Sequence, residues 1–286
     1  MNARRAALGG LLVLGCVDSS AAQLPTFSSR VEAVRVDVLV TDGGRIVTGL
    51  RPQDFEVRDD GVLQDVDFVS LEKLPLNVTL GLDASASISG ERLGHLREAG
   101  EAVLSRLVTG DQAALLTFSH VVRLRETLTS DVSRVRSALG SVVPAGQTAL
   151  VDGSYGAIAL AGADVGRGLL ILFSDGVDTA SWLSPDAVLE SARRSDLIVY
   201  GVAVRGRANP AFLRDLSTTT GGAVFEIEST RDLSETFLRV LEQFRQRYLL
   251  SFSPRGVSRA GWHRLDVRVK GRRLTVNARA GYQAGQ

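Results

Sequence analysis

Cysteine is almost missing from this chain: Cys16 is the single one in 286 residues, so no disulfide can close within it. Lysine is nearly as scarce, with only Lys73 and Lys270, and arginine carries the basic charge. The formal charge is +1, which argues against a nucleic-acid binder driven by electrostatics. Arginines gather between Arg245 and Arg279, but they alternate with apolar residues there and read as a solvated strand face. His95, His120 and His263 fall on three elements without metal-ligand spacing, and each reads as a surface or packing residue. With no Cys or His set, nothing favours zinc. Enzymatic motifs are also missing. Ser174 sits in neither a nucleophile elbow nor a Ser-His-Asp arrangement. "SISGERLG" lacks the spacing and the Lys of a P-loop.

The N-terminus predicts export. Arg4 and Arg5 precede "AALGGLLVLGCV", an apolar stretch too short to span a bilayer as a stable anchor. Small residues in "SSAAQ" place a cut after Ala22. Gly9, Gly10 and Gly15 argue against a buried helix here. "VLGC" resembles a bacterial lipoprotein box, although Leu14 is uncommon before the Gly. Simple secretion, or an envelope location with a lipid anchor at Cys16, are the two readings. Either takes the mature protein out of the cytoplasm.

Two textures divide the rest. "VRVDVLV" alternates, with Val34, Val36, Val38 and Val40 on one face and Arg35, Asp37 and Leu39 on the other, which predicts a half-buried strand. "DFEVRDDGVLQDVDF" reads as two strands joined at Asp60-Gly61. The far end returns to this style in "RYLLSFSP" and "HRLDVRVKGRRLTVNARAGY". Neither group makes a secure domain alone, so the economical reading pairs both into one β-sandwich. Between them, "NVTLGLD", "QAALLTF", "GLLILFSD" and "LIVYGVAV" alternate with helical patterns, predicting a mostly parallel sheet covered on both faces. Ser119 and His120 alone separate "QAALLTF" from "VVRLRETL", so these should form an antiparallel edge hairpin. Leu93, Leu96, Val103, Leu104 and Leu107 mark one helix, and Leu233, Phe237, Val240, Leu241 and Phe244 mark the last. Ser184-Pro185 and Asn209-Pro210 read as helix starts. The expected boundaries are 1–22 signal, 23–73 first half of the sandwich, 74–247 inserted α/β domain, and 248–286 second half.

Asp83, Ser85 and Ser87 in "LGLDASAS", Thr148 in "GQTAL", and Asp175 in "LLILFSDG" sit where strand-like runs end or in a loop able to reach that edge. In open α/β sheets ligands bind outside the carboxyl ends of the strands. Few carboxylates with several hydroxyls offer hard oxygen ligands, a set suited to Mg²⁺, with Mn²⁺ or Ca²⁺ as alternatives. Taken singly, each residue could equally be a cap or turn. Together, in order, they resemble the metal-ion-dependent adhesion site (MIDAS) of von Willebrand factor type A (VWFA) domains, and the succession of elements resembles that Rossmann-like, doubly wound domain. "LRPQDFEVRDDG" and "YLLSFSP" are similar to a group of secreted bacterial proteins carrying it, many from acidobacteria. The resemblance implies that Ser85 and Ser87 ligate the metal directly. It implies that Asp83 and Asp175 act largely through waters, and that Thr148 ligates in a high-affinity state. Asp178 reads as steadying the loop, and Glu91 as suiting the helix dipole.

The resemblance implies an exported, cation-dependent protein-binding or adhesion module, not an enzyme, whose metal accepts an acidic side chain of a protein partner. No nucleic acid is expected, and no membrane contact beyond an anchor at Cys16. The alternatives are a Mg²⁺-dependent hydrolase or phosphotransferase, and an assembly scaffold. Against the enzyme, "DASAS" has no second Asp two residues after the first, and no Lys lies nearby. "GVDTASWLSP" is the expected reader of the partner, with Trp182 as an aromatic anchor or, alternatively, a core residue. In related domains the last helix shifts along the sheet with metal affinity; here either a two-register or a rigid helix fits the residues.

Overall fold

The computed structural model describes residues 33–71, 74–161, 167–206 and 210–285. The predicted export signal, Cys16, Lys73 and Asn209 lie outside them. The first segment gives β1 (Val34–Asp42), β2 (Arg45–Ile46), β3 (Phe55–Asp59), β4 (Val62–Gln64) and β5 (Val66–Ser70). Val36, Val38 and Val40 of β1 are buried as the alternation requires, but so is Leu39. Its face of the strand is covered rather than solvated, and on that same face Arg167 pairs with Asp37. Asp60 and Gly61 both take positive φ, at 46° and 85°, and close the tight turn from β3 to β4. The strand expected after that turn is two strands: β4 pairs with β3, and β5 crosses to another sheet to pair with β12 (Tyr248–Phe252).

The middle supplies β6 (Leu76–Asp83), α1 (Glu91–Leu104), β7 (Gln112–Phe118), β8 (Val122–Thr129), α2 (Val132–Gly140), α3 (Leu150–Ala161) and β9 (Arg167–Ser174). It continues with α4 (Pro185–Arg193), β10 (Ile198–Val204), α5 (Ala211–Thr220), β11 (Val224–Ile227) and α6 (Leu233–Arg245). The sheet order is β11-β10-β9-β6-β7-β8. All neighbours are parallel except β8, which runs antiparallel to β7 at the edge, as the two-residue connection demands. Every residue of β6 is buried, the expected state of a central strand with helices on both faces. Leu96 and Val103 of α1, Val135 of α2 and Phe237 and Phe244 of α6 pack on one face of the sheet. Ile158 of α3, Val188 of α4 and Leu213 of α5 pack on the other. The Ser184 side chain caps α4 as expected. Pro210 is the N-cap of α5 rather than its first helical residue. β11 was not anticipated: four residues adding a parallel edge are too few to show a period.

The end of the chain gives β12, β13 (Gly261–Val269), β14 (Thr275–Asn277) and β15 (Gly281–Ala284). β1 lies between β12 and β14, β5 lies beyond β12, and β3 pairs with β13, so strands from both ends alternate in one sheet and meet side by side in the other. Val38, Phe55, Val57, Tyr248, Leu250 and Phe252 belong to one buried cluster drawn from both sheets. Arg247, only 1% exposed, stands between α6 and β12. Its guanidinium donates to the carbonyls of Asp37 (2.9 Å), Gly221 (2.8 Å) and Asn277 (2.9 Å) and to the Tyr200 hydroxyl (3.1 Å). One side chain therefore ties β1 and β14 to β10 and the end of α5.

Candidate metal centre

The topological switch falls at β6. From it the chain moves outward to β7, then returns to its other side at β9. Asp83 ends β6 and Asp175 follows β9, so both carboxylates stand at the crevice beside that reversal. After Asp83 a 3-10 turn at Ala86–Ile88 drives Ile88 into the core, keeps Ser85 buried and leaves Ser87 exposed. The loop carrying Thr148 is tied to this one by Ala86 N–H to Gly146 carbonyl (3.0 Å) and Ala145 N–H to Ala84 carbonyl (2.9 Å). Gly146 is required there: its φ is +75°, and any Cβ would collide with the His120 ring. Gly153 lets α3 settle against Phe118 of β7, where a Cβ would also collide.

The hydrogen bonds link four of the five predicted residues. Ser85 N–H donates to Asp83 Oδ1 at 2.8 Å, the Ser85 and Ser87 hydroxyls lie 2.9 Å apart, and Ser87 donates to Asp175 Oδ1 at 2.6 Å. Thr148 stands beside them, with its Oγ1 3.3 Å from where a Cβ on Gly176 would be. Asp83, Ser85, Thr148 and Asp175 are buried, and Ser87 is exposed at the rim. Burial raises the pKa of Asp83, with a smaller push from the charge of Asp175; bonds from Ser85 and Ser174 oppose it. Three hydroxyls and two carboxylates at one edge make a hard-oxygen donor set that could hold a divalent cation.

Two residues of this edge escaped the sequence reading. Ser174 donates to Asp83 Oδ2 at 2.7 Å, holding that carboxylate from β9. Arg92, at the second position of α1, has Nη1 2.9 Å from the Ser87 carbonyl and 3.3 Å from Asp175 Oδ2. A cation in the first turn of a helix opposes the dipole, and that misfit was the available signal. Glu91 instead points to Arg231 at 3.9 Å, with both side chains exposed.

Asp178 holds the loop after β9. Its carboxylate accepts from Val151 N–H (2.8 Å) at the start of α3, from Ser181 N–H (3.1 Å) and from the Ser181 hydroxyl (2.6 Å). Asp152 reciprocates from α3, accepting Trp182 N–H (3.0 Å) and Leu183 N–H (2.9 Å). The two carboxylates staple loop and helix together, and Trp182 is left 94% exposed. Replacing Asp178 with Ala is expected to cost about 1–2 kcal/mol by removing a cap and stranding the Ser181 donors. Thermal unfolding would register it, with faster amide exchange at Val151 and Ser181; unchanged exchange there would show the loop is held otherwise.

The histidines engage other groups, although His120 borders the site. His95 Nδ1 lies 2.9 Å from the Thr230 hydroxyl, and His120 packs by Gly146. His263 is buried between β3 and β15, its Nδ1 2.8 Å from Asp59 Oδ1, while Tyr282 donates to Asp59 Oδ2 at 2.7 Å. Burial and the Asp59 charge push the Tyr282 hydroxyl far above its ordinary pKa. Asp59, Asp60 and His263 are close enough to ligate an ion. Both Asp59 oxygens are already engaged, so this cluster reads as a buried hydrogen-bond network.

A doubly wound sheet with one antiparallel edge and an oxygen-rich crevice at its switch point defines the class. The model of the von Willebrand factor type A domain matches residues 77–239, more than half of the chain, and the chain belongs to that family. Inter-alpha-trypsin inhibitor heavy chain H2 of Mus musculus is 24% identical over 190 residues, covering 61% of this chain and 20% of the relative. The Mesocricetus auratus protein of the same name is 23% identical over the same length. The chain thus spans about a fifth of the length of the curated relatives it matches. Among solved structures, proximal thread matrix protein 1 from the mussel byssus, with a zinc-occupied MIDAS motif, superposes with a TM-score of 0.55 at 19% identity, over 66% of this chain and 49% of that one. A von Willebrand factor type A protein from Catenulispora acidiphila gives 0.54 at 12% identity, over 90% and 74%. At such identities the likeness is one of fold.

Proposed function

We propose that this protein is an exported, cation-dependent protein-binding or adhesion module that does no chemistry. The observation carrying this reading is the linked set at the switch point: Asp83, Ser85, Ser87 and Asp175 joined by hydrogen bonds, with Thr148 alongside. In this reading these five residues hold Mg²⁺, and the cation accepts a carboxylate from a partner protein. With neutral hydroxyls as its direct ligands and the two carboxylates acting largely through waters, the metal keeps an open pull on an external anion at close range. Residues 74–247 form the binding domain. Within the bounds 23–73 and 248–286, the described strands belong to one β-sandwich around it in this reading, which the pairing of β1 with β12 and of β3 with β13 supports. Export rests on the N-terminal sequence, with lipidation at Cys16 as its variant. No helix among the described residues is long and apolar enough to cross a membrane.

Trp182 is the proposed second contact. A rigid, exposed aromatic on a stapled loop offers contact area with little ordering cost. Purified mature protein should capture a partner from an extracellular fraction with Mg²⁺ and release it with EDTA. Trp182→Ala should weaken that capture by about tenfold or more while leaving cation affinity unchanged. Capture indifferent to EDTA would overturn the cation-dependent reading. Mg²⁺-dependent turnover of a generic phosphate ester would favour the hydrolase or phosphotransferase alternative, and a partner bound in the cytosol the scaffold one.

A further inference from the structure

We propose that Arg92 sets the balance between cation and partner at this edge, weakening the bare cation site and strengthening the cation-loaded site's hold on a carboxylate. The inference rests on the proposed function and deepens it by naming the residue that makes the site select a monoanion. Arg92 is committed to Asp175 by position: Nη1 bridges the Ser87 carbonyl (2.9 Å) and Asp175 Oδ2 (3.3 Å), while Ser87 takes Asp175 Oδ1. The Asp175 side chain is 1% exposed and that of Arg92 is 35% exposed, so the pair is shielded on the carboxylate side and open on the guanidinium side. Among the described residues both Arg92 hydrogen bonds run through Nη1. The rest of its donor fork is available for the side-on geometry that carboxylates prefer.

Charge arithmetic gives the consequence. The carboxylates of Asp83 and Asp175 together balance one divalent cation. Arg92 then leaves one positive charge in surplus, which a single partner carboxylate neutralises. Without Arg92 the loaded site is formally neutral, and the cation alone must draw the partner. Arg92 also repels a cation sharing Asp175 with it, so the same side chain acts with opposite sign on the two ligands. A residue that merely packed would move both affinities together or neither.

The test compares wild type, Arg92→Gln and Arg92→Lys, each checked for an unchanged thermal melt and circular dichroism. Free Mn²⁺ is followed by electron paramagnetic resonance, and an acetylated Gly-Asp-Gly amide is titrated calorimetrically into protein saturated with Mg²⁺. Arg92→Gln should bind Mn²⁺ roughly threefold to tenfold more tightly and the peptide roughly tenfold more weakly, the size expected for one charge a few ångströms from another under water-like screening. Arg92→Lys, which keeps the charge, should stay near wild type for Mn²⁺. Equal Mn²⁺ affinity in wild type and Arg92→Gln, or both affinities shifting in the same direction, would overturn the role of Arg92 while leaving the cation site standing. No Mn²⁺ binding by any of the three would instead overturn the cation reading on which it depends. Wild type that takes Mn²⁺ but ignores the peptide up to its solubility limit would overturn the carboxylate half of the proposal.

Discussion

Asp83→Ala is expected to abolish Mg²⁺-dependent binding, a loss of about 100-fold or more in cation affinity, while the protein stays folded. The carboxylate ends β6 and receives Ser85 N–H and the Ser174 hydroxyl. Its loss strands two donors, a cost of about 1–3 kcal/mol. It also removes a fully buried acid, whose charge is costly to desolvate, which offsets part of that cost. Net stability should therefore change by only about 1 kcal/mol, whereas binding collapses. Isothermal titration with Mg²⁺, beside urea unfolding of the same variant, separates the two effects. Unchanged affinity would refute the assignment of the site. A protein that no longer folds would show that Asp83 acts as a structural strut.

The largest stability effect is expected at Arg247. Replacing it with Met keeps the apolar stem but removes donors to three backbone carbonyls and a tyrosine hydroxyl, all around a side chain 1% exposed. The expected loss is about 3–5 kcal/mol in urea unfolding, since several buried acceptors lose charge-assisted bonds at about 1–3 kcal/mol each while removal of the buried charge offsets part of the sum. A loss under about 1 kcal/mol would show that water replaces the guanidinium. The same neighbourhood bears on α6, for which the residues alone left two registers open. Beside the Arg247 clamp, Arg245 reaches Asp111 at 2.6 Å, and Arg167 stacks on the Phe244 ring at 4.9 Å from its centre. A slide of α6 along the sheet would have to break these contacts first.

What the sequence made legible follows from where chemistry and periodicity coincide. Asp83 and Asp175 could be placed because long apolar runs announce β6 and β9, and a strand end is a fixed point in an open sheet. Thr148 was harder, since its position depends on backbone bonds between two loops, yet order along the chain carried it. Arg92 was hidden because a helix start looks solvated, and its partner Asp175 is 83 residues away. In sequence Ser174 shows only a nucleophile's chemistry, while in the fold it holds Asp83. Alternation places Leu39 on a wet face because it reports one covered side, and β1 is covered on both at Leu39. The break at Asp65 between β4 and β5 left no mark because no Gly or Pro interrupts "VLQDVDF", although the two strands join different sheets.

β1 finds its register against the end of the chain: Val34 sits opposite Phe252, and Val40 opposite Val276. During synthesis that strand has no partner among these until residues 248–277 have been made. At ordinary elongation rates of about 5–20 residues per second, the wait is on the order of ten seconds or longer. All six strands of the central sheet, by contrast, are complete by Ile227. The early valine-rich segment is thus an open sheet edge for the whole interval, the kind of surface that pairs with the wrong chain. Carriage in an unfolded state until both ends are present would remove that hazard, since the first strand would then meet its partners and its rivals at the same moment.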